Sequence, residues 1–191
     1  MTGQIESWIE ESIATKRRLL ERCVPEIEAL CELALRSLDA GGKLMFCGNG
    51  GSSCDAAHAA GELVGWFENR DRDGFAAIAL GHEVPALTAI GNDASFDQIF
   101  ARQLRAIGKP EDLLVGISTS GGSKNVVAAM RAAKELGCST AALVSERGGP
   151  VADLADVAVR VPSTETPRIQ ESHLLVLHAM CASIEQKRAS R

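Results

Sequence analysis

The stretch KLMFCGNGGSSCDAAHAAGEL, residues 43–63, joins an apolar run, a glycine-rich turn and a segment of helical composition. Its first part, KLMFC (43–47), has the composition of a buried strand. The glycines of the turn, at 48–51, suit positive φ angles and close backbone approach. The last part places His58 and Glu62 four residues apart, on one face of a helix. A strand, a tight turn and a helix begin a βαβ unit, so this stretch predicts an α/β fold.

The rest of the chain repeats this alternation of short apolar runs and helix-length segments, which is typical of buried parallel strands. We therefore expect one domain over residues 1–191, a three-layer α/β sandwich around a parallel sheet. The five predicted strands are KLMFC (43–47), FAAIAL (75–80), DLLVGIS (112–118), STAALVS (139–145) and DVAVRV (156–161). The predicted flanking helices include an N-terminal pair over 4–40, divided at Pro25, and a last helix from about Arg168 to Arg188.

Two helical regions are too apolar for a chain that stays alone. The segment LLVLHAMCASI (174–184) is apolar nearly all the way round, and the N-terminal pair 4–40 needs a surface for its apolar stripe. Ala57, Gly61 and Gly65 form a stripe of small residues, and each mid-helix glycine costs about 1 kcal/mol relative to alanine. Packing within one subunit is the alternative explanation, but the pattern favours an oligomer in which the N-terminal pair packs.

Composition excludes several classes of protein. The chain has 191 residues, of which 46% are hydrophobic and 24% charged, and a formal net charge of −5. The acidic balance argues against a nucleic-acid partner. No signal peptide and no apolar run of membrane-spanning length is evident, and the six scattered cysteines indicate reduced, packed thiols. We therefore expect a cytoplasmic protein with no membrane partner.

The glycine turn does not match the known nucleotide-binding patterns. Its G-x-G-x-x-G fingerprint fails at Ser53, and the Gly-Lys pair of a P-loop is absent, so no nucleotide cofactor is expected. Ser52 and Asp55 match a capping box, which makes a plain capped turn the alternative interpretation.

A second loop, STSGGSKN (118–125), follows a predicted strand and precedes a predicted helix. Its four hydroxyls and free backbone N–H groups at a helix N-terminus would form a phosphate cradle, although an ordinary Ser/Gly-rich loop has the same composition. Because open α/β sheets bind ligands at the carboxyl ends of their strands, two such loops predict a phosphorylated small molecule.

Few side chains are candidates for the reaction itself. His58 and Glu62 lie one turn beyond the glycine loop, and His178 lies in the apolar terminal helix, where a lone histidine is usually a packed residue. Asn92 and Asp93 follow an apolar segment, where they would either contribute polar groups to the site or form a plain helix cap.

Together these motifs resemble the phosphoheptose isomerase family, which has the sugar isomerase (SIS) fold. The resemblance covers nearly the whole chain in order, through GNGGSSCDAAH (48–58), Glu62, GND (91–93), ISTSGGS (117–123) and TPRIQESHLLVLH (166–178). It implies a flavodoxin-like sheet, a homotetramer with active sites near subunit contacts, and an aldose–ketose isomerase. The implied reaction converts D-sedoheptulose 7-phosphate to D-glycero-D-manno-heptose 7-phosphate through an enediol, the first step towards nucleotide-activated heptose.

The resemblance also implies roles for individual residues. Glu62 and His178 would be the acid/base pair, and one Zn²⁺ per subunit would be held by His58, Glu62, Gln170 and His178. The implied substrate contacts, to which Ser52 of the glycine turn is added, are Asn49, Gly50, Gly51, Ser52, Glu62, Asn92, Asp93, Ser118, Thr119, Ser120, Ser123 and Gln170.

Two details of the sequence bear on that implied site. Some family members carry an aspartate where this chain has Pro167, so any role of that carboxylate is absent or taken over by another group. Gln170 and His178 would lie about 12 Å apart along a continuous helix. Either Gln170 precedes the helix, or neighbouring subunits contribute different ligands.

Two other classes of function share the glycine loop and the fold. One is a regulatory module that binds a sugar phosphate without turnover, and the other is a scaffold similar to the initiator-associating protein. Neither needs a carboxylate one turn from a histidine, and the scaffold lacks the late histidine found here at 178. Glu62 and His178 therefore favour the isomerase.

Overall fold

The computed structural model describes residues 2–189, so the two ends of the predicted 1–191 domain, Met1 and residues 190–191, lie outside it. In chain order the elements are α1 Thr2–Arg22, α2 Val24–Asp39, β1 Leu44–Gly48, α3 Gly51–Val64, β2 Ala77–Ala79, α4 Val84–Asp93, a 3₁₀ turn Phe96–Gln98, α5 Ile99–Ile107, β3 Leu113–Ser118, α6 Lys124–Leu136, β4 Ser139–Ser145, α7 Pro150–Asp153, β5 Val157–Val161 and α8 Thr166–Ala189.

The five strands form one parallel sheet in the order β2-β1-β3-β4-β5. All five predicted strands are present, and the predicted α/β class is confirmed. The strand order reverses between β1 and β3, which makes the carboxyl ends of these two strands the point where such sheets bind ligands.

Alternate strand residues build two cores, one on each face of the sheet. In β1, Leu44 and Phe46 belong to the core beneath α1, α2, α3 and α8, whereas Met45 and Cys47 belong to the core beneath α4, α5 and α6. Side chains of a strand point alternately to its two faces, so a continuous apolar run is what a sheet covered on both faces requires. The three-layer arrangement follows.

The two N-terminal helices differ in how they bury their apolar residues. Helix α2 begins at Val24 with Pro25 in its first turn and packs Leu30 and Ala34 into the core beside α8. On α1, by contrast, Ile5, Trp8 and Ile9 remain about half exposed. The prediction that the pair packs in an oligomer therefore concerns α1, because α2 already has its partner within the chain.

Three local expectations from the sequence are wrong. Ser52 does not cap α3, because the N-cap is Gly50 and the side chain of Ser52 is buried inside the first turn. Gly65 is the C-cap of α3 rather than a mid-helix residue. Gln170 does not precede α8, because that helix already begins at Thr166.

None of the helices in the described part of the chain is long and apolar enough to cross a membrane. All six cysteines are free, and only Cys54 among them is exposed. Burial raises the pKa of Cys47 and Cys181 to about 12, so both thiols stay protonated in the core.

Candidate functional site

The glycine loop and the hydroxyl loop lie side by side, because they follow the paired strands β1 and β3. A pair of amides joins them. Asn49 Nδ2 donates to Asn125 Oδ1 at 2.9 Å, and Asn125 Nδ2 donates back to Asn49 Oδ1 at 2.8 Å. Asn125 is buried in the first turn of α6. The Asn49 side chain is thus held in the structure and keeps one N–H and one lone pair for any ligand.

The glycine loop is shaped by its backbone and by a side chain from α8. Gly50 has φ +55°, a conformation that favours glycine, and it is the N-cap of α3. The N–H groups of Ser52 and Ser53 donate to the carbonyl oxygens of Asn49 and Gly50, which closes the turn. A Cβ atom on Gly51 would lie 2.7 Å from Nε2 of Gln170. The Gln170 amide therefore covers Gly51, and only glycine leaves room for it.

One turn further along α3, three of the predicted reactive side chains meet. His58 Nε2 lies 3.0 Å from Glu62 Oε1 and 3.3 Å from Nε2 of His178. The two imidazole rings are edge to face, with centroids 5.0 Å apart. The His58 and Glu62 side chains are 42% and 25% exposed, so a small molecule can reach them. Proton donors and acceptors in direct contact and open to solvent are what general acid–base catalysis needs.

The four predicted zinc ligands are only partly brought together. His58, Glu62 and His178 form the cluster, while Gln170 lies two turns earlier on α8, against Gly51. Within residues 2–189, no three His, Cys, Asp or Glu side chains form a ready-made metal-binding group. Helix α8 thus places Gln170 beside the glycine loop rather than in the histidine cluster.

The hydroxyl loop has a defined internal structure. Ser118 Oγ and Ser123 Oγ lie 2.9 Å apart, and Ser120 Oγ accepts a hydrogen bond from the N–H of Gly122. Ser123 is the N-cap of α6, and its side chain makes no capping hydrogen bond. The N–H of Val126 donates to Asn125 Oδ1, so among the first N–H groups of α6 those of Lys124 and Asn125 are left for a ligand.

A cavity of about 200 Å³ opens beside this loop. Its lining residues are Thr119, Ser120, Ser145, Arg147, Thr164, Thr166 and Ile169. The lining contains five hydroxyls and one guanidinium but no carboxylate. A cavity of this composition suits an anion, because the guanidinium supplies charge and the hydroxyls supply directed donors.

Asn92 and Asp93 are the last two residues of α4, so neither is an N-terminal cap. Asn92 Nδ2 donates to Asp93 Oδ1 at 2.7 Å, and both side chains are exposed. Within the described chain no hydrogen bond joins either of them to another candidate residue. In the described chain these two side chains therefore bond to each other and not to the histidine cluster.

His173 shows how different a packed histidine is from His178. It is buried on α8, and its Nε2 lies 3.3 Å from the carbonyl oxygen of Val144. Burial lowers the pKa of His173 to about 4 against the opposing effect of that hydrogen bond, so the ring is neutral at pH 7. His173 is a core residue, as its position in the apolar helix indicates.

Several residues around the site were not singled out from the sequence. Asn125, Arg147 and Phe67 are three of them; Phe67 packs on His178 with ring centroids 5.4 Å apart. The K-N pair that opens α6 was a weak local signal for Asn125. Nothing local in the sequence pointed to Phe67 or Arg147, because each meets the site through a long-range contact.

The fold and the motifs match known proteins over most of the chain. The model of the SIS domain family matches residues 7–145. A phosphoheptose isomerase of Roseiflexus sp. (strain RS-1) is 47% identical over 178 residues, which cover 93% of this chain and 90% of that protein.

Solved structures agree with this match. The phosphoheptose isomerase of Neisseria gonorrhoeae superposes with a TM-score of 0.91 at 42% identity, over 97% of this chain and 98% of that one. The corresponding enzyme of Francisella tularensis superposes with a TM-score of 0.93 at 36% identity, over 97% and 98% of the two chains.

Proposed function

We propose that the chain converts D-sedoheptulose 7-phosphate into D-glycero-D-manno-heptose 7-phosphate. The basis is its family, because the chain belongs to the SIS domain family and, within it, to the phosphoheptose isomerases. The observation that carries the proposal is the contact of His178 and Glu62 with His58, next to a hydroxyl-rich loop at the switch point of the sheet. A proton-transfer cluster and an anion site at neighbouring loops are the two parts that a sugar phosphate isomerase needs.

The chemistry is a balanced transfer of two protons. A base removes a proton from C1 of the ketose while an acid protonates the oxygen at C2, which gives an enediol. The C1 hydroxyl then loses its proton to become the aldehyde, and C2 receives a proton on carbon. We assign these transfers to Glu62 and His178 and leave open which of the two takes the carbon proton. Groups of this kind contribute about 10²–10⁴ in rate.

The phosphate is assigned to the hydroxyl loop, at Ser118, Thr119, Ser120 and Ser123. The N-terminus of α6, a helix of 13 residues, offers the N–H groups of Lys124 and Asn125 and the positive end of its dipole there. Arg147 in the adjoining cavity would add a full positive charge. Asn49, Gly50, Gly51 and Gln170 would then hold the sugar chain between phosphate and cluster, with Asn92 and Asp93 reaching it from α4. Ser52, predicted as a further contact, is buried and bonded to Asn49 through its N–H, so it shapes the turn instead.

A Zn²⁺ ion is part of the proposal, and the donor atoms support it in part. The Nε2 atoms of His58 and His178 are 3.3 Å apart, close to the ligand–ligand distance in a tetrahedral site with Zn–N bonds of ~2.0–2.1 Å. Glu62 already contacts His58 and would supply a third ligand. Gln170 lies two turns away on the same helix as His178, so as a ligand it would have to come from a neighbouring subunit. When bound, the ion would polarise the carbonyl and hydroxyl oxygens of the sugar.

We further propose a cytoplasmic homotetramer with active sites near subunit contacts. Supporting observations are the exposed apolar side chains of α1 and the open space beside Gly61. Apart from its own turn of helix, a Cβ atom there would meet no atom of the described residues within 4 Å. The Asn92 and Asp93 side chains bond to each other rather than to the cluster, and a subunit contact could bring them to a bound sugar.

Steady-state turnover tests the proposed substrate. The purified protein, supplied with Zn²⁺, should convert sedoheptulose 7-phosphate, and it should convert unphosphorylated sedoheptulose at least 100-fold less efficiently by kcat/KM. Equal efficiency with both sugars would contradict the phosphate site. Binding of the sugar phosphate without turnover would favour the regulatory function instead.

A further inference from the structure

A buried ion pair fixes the loop that connects α3 to β2, residues 65–76. Arg72 Nε donates to Glu185 Oε1 at 2.6 Å, and the side chains of Arg72 and Glu185 are 8% and 6% exposed. The Glu185 carboxylate also accepts the N–H groups of Phe67, Glu68 and Asn69 at 2.9–3.0 Å. One carboxylate on α8 thus binds three successive amides and a guanidinium of a single loop.

The rest of the guanidinium binds the end of the helix that carries Glu62. Arg72 Nη2 donates to the main-chain carbonyl oxygen of Glu62 at 2.6 Å, and Nη1 donates to that of Leu63 at 2.9 Å. These carbonyls belong to the last turn of α3, where no partner exists within the helix. The cation also lies over the ring of Phe75, 4.3 Å from its centroid. Arg72 therefore fixes the backbone of Glu62 directly.

Glu185, the carboxylate of the ion pair, is connected to His178, the other proton-transfer residue. Glu185 lies seven residues after His178, on the same face of α8. Phe67, whose N–H is bound by Glu185, lays its ring on that of His178 with centroids 5.4 Å apart. The same ion pair therefore restrains Glu62 through its carbonyl and His178 through Phe67.

We propose that the Arg72–Glu185 pair, acting through Phe67, is the positioning element of the acid/base pair, a proposal that rests on the proposed isomerase function. Stability alone is a weak reason for such a pair, since buried ion pairs are often no better for stability than well-packed apolar residues. Position is the stronger reason, because Glu62 and His178 lie on different helices and are partly exposed. A misplacement of about 1 Å in a catalytic group can cost about 10²-fold in rate.

Two substitutions disturb the pair while keeping its size. In Glu185→Gln an amide NH₂ would face backbone N–H groups, and in Arg72→Lys the fork that spans Glu185 and the end of α3 is lost. We expect kcat for sedoheptulose 7-phosphate to fall about 10- to 100-fold in each, with KM within threefold of wild type.

The matched control is Asp112→Asn. Asp112 is equally buried, accepts the N–H groups of Lys43 and Lys109, and pairs with the Lys43 ammonium at 2.6 Å. It directly precedes the central strand β3, at the amino ends of the strands, whereas the site lies at their carboxyl ends. This variant should lose thermal stability and keep kcat within twofold. Equal losses of kcat in Asp112→Asn and Glu185→Gln would show a general effect of destabilisation and overturn the proposal.

Substitutions of Phe67 test whether its ring connects the ion pair to His178, and they leave Arg72 and Glu185 unchanged. Phe67→Tyr keeps the ring against His178 and should retain kcat within twofold, whereas Phe67→Leu should lose it about tenfold. Full activity in Phe67→Leu would overturn the proposal, and these variants remain informative if Glu185→Gln does not fold.

Hydrogen–deuterium exchange gives a readout that does not depend on turnover. The amides of residues 67–69 should exchange slowly in the wild type and at least tenfold faster in Glu185→Gln. Lost protection with unchanged kcat would overturn the positioning role. A wild type that shows slow exchange but no turnover of any sugar phosphate would instead refute the proposed function, and this proposal with it.

Discussion

His58 and His178 bring their Nε2 atoms within 3.3 Å of each other, although 120 residues separate them in the chain. Two Nε2–H groups cannot face each other at this distance, so at least one of the nitrogens presents a lone pair. A lone pair beside the Glu62 carboxylate is suited to accepting a proton or binding a metal ion. The parallel sheet creates this contact by placing α8 beside α3 on the same face.

Gly51→Ala tests the role of the Gln170 amide. The added Cβ would lie 2.7 Å from Gln170 Nε2, so that side chain must move away from the glycine loop. We expect kcat/KM for sedoheptulose 7-phosphate to fall at least tenfold. The control is a double-mutant cycle with Gln170→Ala. Because the short side chain no longer occupies the space, Gly51→Ala should cost little in that background, and full additivity would contradict the account.

Arg147→Ala tests the assignment of the phosphate cavity. Loss of one cation from a cavity with no carboxylate should weaken binding of the phosphate without affecting proton transfer. Removing a charge-assisted hydrogen bond costs about 1.5–3 kcal/mol, so KM should rise roughly 10- to 100-fold while kcat changes less than threefold. The KM of Arg147→Lys should lie between those of the wild type and Arg147→Ala. A change confined to kcat would place Arg147 elsewhere in the mechanism.

Glu185 predicts a dependence of stability on acid pH. Burial alone would raise the pKa of this carboxyl, but its bonds to Arg72 and to three backbone amides outweigh burial and lower the pKa to about 2. An unfolded glutamate titrates at about 4.3, so the stabilisation is complete above that pH and is lost as the pH falls towards 2. Melting temperatures of wild type should therefore drop more steeply between about pH 5 and 3 than those of Glu185→Gln. Parallel curves for the two proteins would contradict this.

Ile9→Glu tests the proposed assembly. Ile5, Ile9 and Ile13 lie on one side of α1 and are 53%, 54% and 38% exposed in the single chain. A carboxylate within a subunit contact would be desolvated, so sedimentation velocity should show species smaller than a tetramer. Glu10→Gln, an exposed neighbour on the same helix, should sediment as wild type does. An Ile9→Glu protein that stays tetrameric would remove α1 from the interface.

Local patterns in the sequence were sufficient to predict the sheet. STAALVS (139–145) coincides with β4, because a strand buried on both faces is a continuous apolar run between turns. The strand predicted at FAAIAL (75–80) was too long, because β2 is an edge strand that pairs with β1 only over Ala77–Ala79. Strand length at an edge depends on the partner and is invisible in the apolar run itself.

The site was predictable where its residues are close in sequence, as in the glycine loop and its helix with His58 and Glu62. The Arg72–Glu185 pair spans 113 residues and the Asn49–Asn125 pair spans 76, and neither has a local sequence pattern. The prediction that Ser52 caps α3 was wrong for another reason. The helix begins at Gly51 with Gly50 as its N-cap, so Ser52 already lies inside the helix and cannot cap it.

The most direct test follows the carbon-bound proton in wild type and in Glu62→Gln, with Glu111→Gln, an exposed carboxylate outside the site, as control. Each protein is incubated with sedoheptulose 7-phosphate in D₂O and observed by proton NMR. The account predicts that wild type and the control form an aldoheptose phosphate carrying deuterium at C2, and that Glu62→Gln forms it about 10²–10⁴-fold more slowly. Formation of that product by Glu62→Gln within a few-fold of the wild-type rate would contradict the account.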